Sequence, residues 1–136
     1  MIFLDSNIII DLIETSAKWS IWSRQTVAHA ARTNRLAAST VVLAEVAGHF
    51  GSTDDQLLYL EQLGANVIPL DAEAAYRAGR AHRAYRRAGG TRASVLADFL
   101  IAGQASALQA ALLTRDKGRL ATYFPKLTLI TPDTHP

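Results

Sequence analysis

Short apolar runs alternate along the chain with longer segments whose apolar residues recur every three or four positions. Runs of a few residues are typical of buried strands, whereas the longer spacing is typical of helices with one buried face. The runs predict strands over residues 1–4, 36–38, 66–70, 111–114 and 127–130.

The segments between these runs predict helices, several of which have recognisable ends. Ser39 or Thr40 suits the start of one helix, Asp71 suits the start of another that Gly89 and Gly90 end, and Gly64 follows a third. In the helix after Asp71, one face carries Ala74, Ala78, Ala81, Tyr85 and Ala88. The predicted helices cover residues 7–13, 17–34, 40–47, 53–63, 71–87, 94–108 and 119–123.

Strands that alternate with helices predict an α/β fold with a central, mainly parallel β-sheet flanked by helices. The chain has no repeat, low-complexity tract or linker, and its 136 residues suit one compact domain over 1–136. Ligands of such sheets bind beyond the carboxyl ends of the strands. Asp5 and Asp116 lie just beyond two predicted strands, so we expect both at that edge.

Composition excludes several kinds of chemistry. The chain has no cysteine, which excludes disulfides, thiolate catalysis and thiolate metal sites and fits a reducing cytoplasm. No apolar run is long enough to cross a bilayer, and the start of the chain has no basic leader and carries Asp5 inside its apolar stretch. We therefore expect a cytoplasmic protein without a membrane segment, in which oxygen or imidazole holds any metal.

Four carboxylates interrupt apolar sequence: Asp5, Glu45, Asp98 and Asp116. Each alone has a structural explanation: Asp5 as a helix cap, Asp98 as a partner of a helix dipole, and Glu45 in an ion pair with an arginine such as Arg115. Four such acids together would repel one another, and a divalent cation relieves that repulsion. Oxygen ligands suit Mg²⁺ or Mn²⁺, and a site of this kind hydrolyses phosphodiesters.

Four segments in order resemble the motifs of the PIN-domain ribonucleases, and specifically the VapC-type toxins of toxin–antitoxin modules. Residues 1–11 read MIFLDSNIIID, 39–46 read STVVLAEV, 96–102 read LADFLIA and 113–120 read LTRDKGRL. One of the four acids Asp5, Glu45, Asp98 and Asp116 stands in each segment, and the resemblance spans residues 1 to about 132. The middle of the chain, residues 50–92, departs furthest from the family.

The resemblance implies that Asp5, Glu45, Asp98 and Asp116 are catalytic, ligate Mg²⁺ or Mn²⁺ and position the attacking water, with Asn7 and Thr114 in support. The implied activity is endonucleolytic RNA cleavage leaving a 5′ phosphate and a 3′ hydroxyl. The implied partners are an RNA substrate, a small cognate antitoxin protein and a second copy in a homodimer. Trp19 and Trp22 are candidates for the antitoxin surface or for the core.

Arginines are concentrated between Ala74 and Ala97, a stretch without acids that holds six of the fourteen basic residues. Arg80, Arg83 and Arg87 project together on the predicted helix, which suits RNA phosphates and equally a solvated helix face. Arg115 is a further candidate for RNA contact or for a salt bridge. The four histidines are scattered without ligand spacing, so we assign none to the metal.

Three other functions remain to be weighed. An aspartate-nucleophile phosphatase needs a second acid two positions after the first, where this chain has Asn7. A non-catalytic RNA- or protein-binding module has no need to gather carboxylates where phosphate must approach. A housekeeping RNA-processing nuclease remains open, although a catalytic domain that fills the chain favours the toxin.

Overall fold

The computed structural model describes residues 1–136 and contains one five-stranded sheet. The strands are β1 (Ile2–Leu4), β2 (Leu36–Ser39), β3 (Ala65–Ile68), β4 (Ala111–Leu113) and β5 (Leu129–Ile130). Their order across the sheet is β3-β2-β1-β4-β5, and every neighbouring pair is parallel. The predicted α/β fold is confirmed, with an all-parallel sheet where a mainly parallel one was expected.

Seven helices and one short 3-10 turn connect these strands. The helices are α1 (Ser6–Ile13), α2 (Ser20–Ala30), α3 (Thr40–Val46), α4 (Thr53–Gln62), α5 (Ala72–Arg87), α6 (Val95–Ala107) and α7 (Arg119–Tyr123), and the turn is Ala47–His49. Helix α1 packs on α2 and α3, whereas α5, α6 and α7 pack on one another. Because parallel crossovers are right-handed, these two groups cover opposite faces of the sheet. No helix has the length and apolar character needed to span a bilayer.

The central strands of the sheet are fully buried. All residues of β1 and β2 are buried, and a cluster of 26 buried apolar residues joins them to helices of both groups. Burial on both faces explains why these strands read as continuous apolar runs without alternation. Polar side chains that follow these strands therefore emerge from the core at one edge of the sheet.

Helix starts follow the predicted caps. Ser39 accepts a hydrogen bond from the backbone N–H of Val41, and Asp71 accepts one from that of Ala74. Gly64 has a φ of +75° just after α4, a backbone conformation that favours glycine at the end of a helix.

Three predictions of local structure are wrong in detail. The helix predicted over 17–34 is confined to Ser20–Ala30, because the N–H of Asn34 returns to the carbonyl of Ala30 in a closing turn. The last strand begins only at Leu129, since the N–H of Leu127 donates to Phe124 in a turn. Ala88 is exposed beyond the end of α5, so it does not extend the buried alanine face.

Helices α5 and α6 approach each other closely at Gly103, which faces buried Ala74 and Ala78. A Cβ at Gly103 would lie 2.9 Å from the carbonyl oxygen of Ala74 and 3.1 Å from the backbone nitrogen of Ala78. These neighbours are backbone atoms, which cannot rotate away as a flexible side chain can. The spacing of α5 and α6 therefore depends on a glycine at position 103.

We expect Gly103→Ala to destabilise the protein by about 1–3 kcal/mol, because the added methyl group forces the two helices apart. Gly79→Ala is the matched control, since a Cβ there meets nothing within 4 Å. That change should stabilise α5 by about 0.5–1 kcal/mol through helix propensity. Urea unfolding of both variants measures the difference, and equal stabilisation by both would disprove the close approach.

Candidate metal site at the carboxyl ends of the strands

The four sequence-predicted acids come from four different elements. Asp5 follows β1 directly and is the N-cap of α1, and Asp116 lies just beyond β4. Glu45 lies in the last turn of α3, which follows β2, and Asp98 lies in the first turn of α6. Parallel strands bring β1, β2 and β4 to the same edge, and the acids converge there.

Three of these acids form a compact cluster, which we call the acid cluster: Asp5, Glu45 and Asp98. One carboxylate oxygen from each lies within 4.8 Å of the other two. Asp5 is 4% exposed, whereas Glu45 is exposed and Asp98 is partly exposed. The acid cluster therefore has a buried floor and an open side that solvent, a cation or a phosphate can reach.

Hydrogen bonds fix the buried carboxylate at the floor. Oδ1 of Asp5 accepts from the backbone N–H of Ser6 at 2.7 Å, while Oδ2 accepts from Nδ2 of Asn7 at 3.0 Å and from Oγ1 of Thr114 at 2.5 Å. Oγ1 of Thr114 also accepts from the N–H of Asp116 at 3.0 Å. Asn7 and Thr114 thus hold Asp5 and tie the loop after β4 to it; that they support catalysis stays a prediction.

Ser6 is a member of the site that the sequence did not reveal. Its hydroxyl donates to Oε1 of Glu45 at 2.6 Å, which joins the start of α1 to the end of α3. A serine after Asp5 is compatible with any helix start, so only the proximity of Glu45 in three dimensions indicates its role. Ser6 orients a carboxylate of the acid cluster.

Crowding and burial disfavour the ionised form of two acids. Burial is the main reason that the pKa of Asp5 is raised to about 6, against the hydrogen bonds from Thr114 and Ser6. Burial, together with the charges of the neighbouring carboxylates, raises the pKa of Asp98 to about 7. Near neutral pH, the negative charges of the acid cluster are not balanced by positive side chains. A bound cation would balance them.

Asp116 lies beside the acid cluster and outside its 4.8 Å grouping. Nη1 of Arg119 lies 3.5 Å from a carboxylate oxygen of Asp98 and 3.5 Å from one of Asp116. Arg119 was missed from the sequence; it is the first residue of α7, and Asp116 lies three positions earlier in the loop before that helix. The structure brings three predicted ligands together and connects the fourth through an arginine.

Arg115 does not pair with Glu45, which corrects that structural explanation of the glutamate. Its Nε lies 3.1 Å from Oδ2 of Asp11, a carboxylate on α1 that is 2% exposed. Oγ of Ser23 donates to the same oxygen at 2.7 Å. This ion pair, in which Asp11 is buried and Arg115 is partly exposed, anchors the loop that carries Asp116; the predicted RNA contact of Arg115 stays a prediction.

Arg80, Arg83 and Arg87 line one hollow on the outer side of α5, as their spacing predicted. All three are exposed, and none lies within salt-bridge distance of a carboxylate. Their positive charge is therefore free to attract an anion.

The donor set of the acid cluster fits a hard divalent cation. Its ligand atoms are carboxylate oxygens, and neither cysteine nor histidine contributes to the group. Mg²⁺ and Mn²⁺ bind through a few carboxylates, retain several waters and accept phosphate oxygens. The arrangement can hold such an ion on its open side and present it to a phosphodiester.

Similar folds occur in several solved structures. The VapBC2 structure from Rickettsia felis, bound to a DNA fragment from its promoter, matches with a TM-score of 0.72 and 24% identity over 96% of this chain and 98% of that chain. FitAcB from Neisseria gonorrhoeae matches with a TM-score of 0.68 and 22% identity over 100% of both chains. VapBC-1 from nontypeable Haemophilus influenzae matches with a TM-score of 0.69 and 25% identity over 96% and 98%.

A search of curated proteins finds no significant match. The sequence profile of the PIN domain, by contrast, matches residues 2–124, which include all four acids and both groups of helices. With the all-parallel sheet, the acid cluster at its carboxyl edge and this match over most of the sequence, the chain belongs to the PIN-domain family.

Proposed function

We propose that this protein is a metal-dependent endoribonuclease and the toxin of a toxin–antitoxin module. The observation that carries the proposal is the acid cluster, in which carboxylates from three elements meet within 4.8 Å in a chain of the PIN-domain family. We propose that one catalytic domain over residues 1–136 acts on RNA in the cytoplasm.

Asp5, Glu45 and Asp98 would hold the ion, which we propose to be Mg²⁺ or Mn²⁺. When bound, such an ion lowers the pKa of water and neutralises charge on the phosphate. Thr114 and Asn7 keep the carboxylate of Asp5 in place, and Ser6 does the same for Glu45. Asp116 lies at the open side, where it would accept a proton from the attacking water or complete the ligand set.

A small antitoxin is the proposed protein partner, because the solved structures of similar fold include a toxin–antitoxin complex from Klebsiella pneumoniae. The surface of α2 supports this proposal: Ile21 is 73% exposed between half-buried Trp19 and Trp22, whose rings meet edge to face. We also propose a homodimer, as the resemblance implies.

We expect Asp98→Asn to lower cleavage at least about a hundredfold, since loss of a metal ligand exceeds the effect of an outer-shell change. The side chain keeps its volume, so circular dichroism should show an intact fold. The assay is cleavage of a structured RNA mixture with Mg²⁺, with Mn²⁺ and with chelator. Asp54→Asn, an exposed acid in the first turn of α4, is the matched control and should cut normally; full activity in Asp98→Asn would contradict the assignment.

Stability should depend on pH and metal together. Because the pKa values of Asp5 and Asp98 are raised from 3.8 to about 6 and about 7, the folded state binds more protons than the unfolded chain in that range. In chelator, the contribution of these two carboxyl groups to stability is greatest below about pH 4 and is lost as pH rises toward 7. Mg²⁺ at about a hundred times its Kd should restore about 2–3 kcal/mol near pH 7.5 and almost nothing at pH 4.

Thermal unfolding at both pH values, with Mg²⁺ and with chelator, measures this dependence. In chelator at pH 7.5, Asp98→Asn should melt above the wild type, because it removes one of the repelling charges. In chelator, an equal change of melting temperature between pH 4 and pH 7.5 in the wild type and in Asp98→Asn would show that the charge of Asp98 costs no stability.

We expect simultaneous replacement of Arg80, Arg83 and Arg87 by glutamine to weaken RNA binding and to lower its salt dependence. Each lost phosphate contact reduces the slope of log K against log salt by about 0.7 for a single strand. Replacing the exposed Arg24, Arg32 and Arg35 by glutamine removes the same charge from another part of the surface. An equal loss of RNA affinity in both triple variants would show that only the net charge of the protein matters, and not the position of these three arginines.

A further inference from the structure

A cavity of about 600 Å³ lies between α5 and the segment that connects α7 to β5. The hollow lined by Arg83 and Arg87 adjoins it, because Arg80 and Ala84 line both. We call the two adjoining depressions the α5 groove. The side chains that define it for the argument below are Tyr76, Arg80, Arg83, Arg87, Tyr123 and Lys126.

The α5 groove carries positive charge that the protein does not neutralise. Arg80, Arg83, Arg87 and Lys126 have no carboxylate within salt-bridge distance. The one acid that lines the cavity, Glu73, is held by Arg77 at 2.8 Å. A polyanion is the complementary ligand.

The groove also presents an aromatic ring. Tyr76 is 63% exposed, and the Arg80 guanidinium stands 5.9 Å from its ring centroid while Nη1 donates to the tyrosine oxygen at 3.1 Å. On the other wall, Tyr123 is fixed by Phe99 at 5.4 Å between ring centroids. An oriented, exposed ring beside unpaired cations is a platform on which a nucleobase stacks while its phosphates contact arginine or lysine.

One end of the groove approaches the acid cluster. Helix α5 ends at Arg87 and turns through residues 88–94 into α6, which carries Asp98. Tyr85 packs against Phe99 with centroids 5.9 Å apart, and the Arg119 guanidinium that pairs with Asp98 lies 6.0 Å from the Tyr85 ring. The eleven residue-to-residue steps from Tyr76 to Arg87 span about 16 Å of helix, or about five stacked nucleotides.

We propose that the α5 groove binds the unpaired strand of the RNA substrate several nucleotides from the cleaved bond, with a base on Tyr76 and phosphates on Arg80 and Lys126. This inference rests on the proposed ribonuclease function and names its substrate class: RNA with a single-stranded flank. An acidic peptide would pair with the same cations, but its carboxylates would not stack on the exposed ring of Tyr76.

Fluorescence anisotropy in chelator tests the inference separately from cleavage. The probes are labelled oligouridine of about 12 and about 4 nucleotides, a blunt RNA duplex and a labelled poly-glutamate peptide. Tyr76→Ala should weaken binding of both oligouridines, by about tenfold for the longer one, and leave the duplex nearly unchanged. Tyr76→Phe retains the ring and should bind as the wild type does.

Charge controls complete the design. Lys126→Gln should weaken the longer oligouridine, whereas Lys18→Gln, an exposed lysine before α2, should not. Unchanged oligouridine binding by Tyr76→Ala and Lys126→Gln would overturn the inference, as would poly-glutamate binding that alone depends on the groove. Tyr76-dependent RNA binding by a protein that cuts no RNA with Mg²⁺ would support the groove and reject the nuclease function.

Discussion

Carboxylates held close together away from water repel one another and lose hydration. The hydrogen bonds and ion pairs of the site offset that unfavourable free energy. Asp5 sits at the dry centre of the sheet edge, where burial raises its pKa to about 6. Neutral donors oppose that effect, because Ser6, Asn7 and Thr114 all direct hydrogen bonds at it. The parallel sheet makes the arrangement possible, since it delivers several loops to one edge.

Positive charge at the site is supplied sparingly. Arg119 lies between Asp98 and Asp116 on the side of α7, and Arg115 is occupied by buried Asp11. The acid cluster itself has no cation from the chain in contact with Asp5 or Glu45. Such an imbalance reduces stability in the absence of metal and gives a divalent ion its binding free energy.

Sequence patterns predicted much of the fold for a physical reason: the strands of this sheet are buried on both faces and so read as uninterrupted apolar runs. Caps such as Ser39 and Asp71 act within a few residues and were equally visible. Long-range partners were not. Ser6 contacts Glu45, 39 positions away in the sequence. Arg115 pairs with Asp11 and not with Glu45. Arg119 pairs with Asp98 because α6 and α7 pack together.

The contact at Gly103 has a consequence for how the molecule would measure its substrate. Because a side chain at position 103 would meet backbone atoms of α5, the helix that carries the groove and the helix that carries Asp98 pack with little space between them at that point. The fold then fixes the distance between a base bound in the α5 groove and the acid cluster. A nuclease built in this way would choose its cleavage position by counting nucleotides from an anchoring point as well as by recognising the bases at the cut.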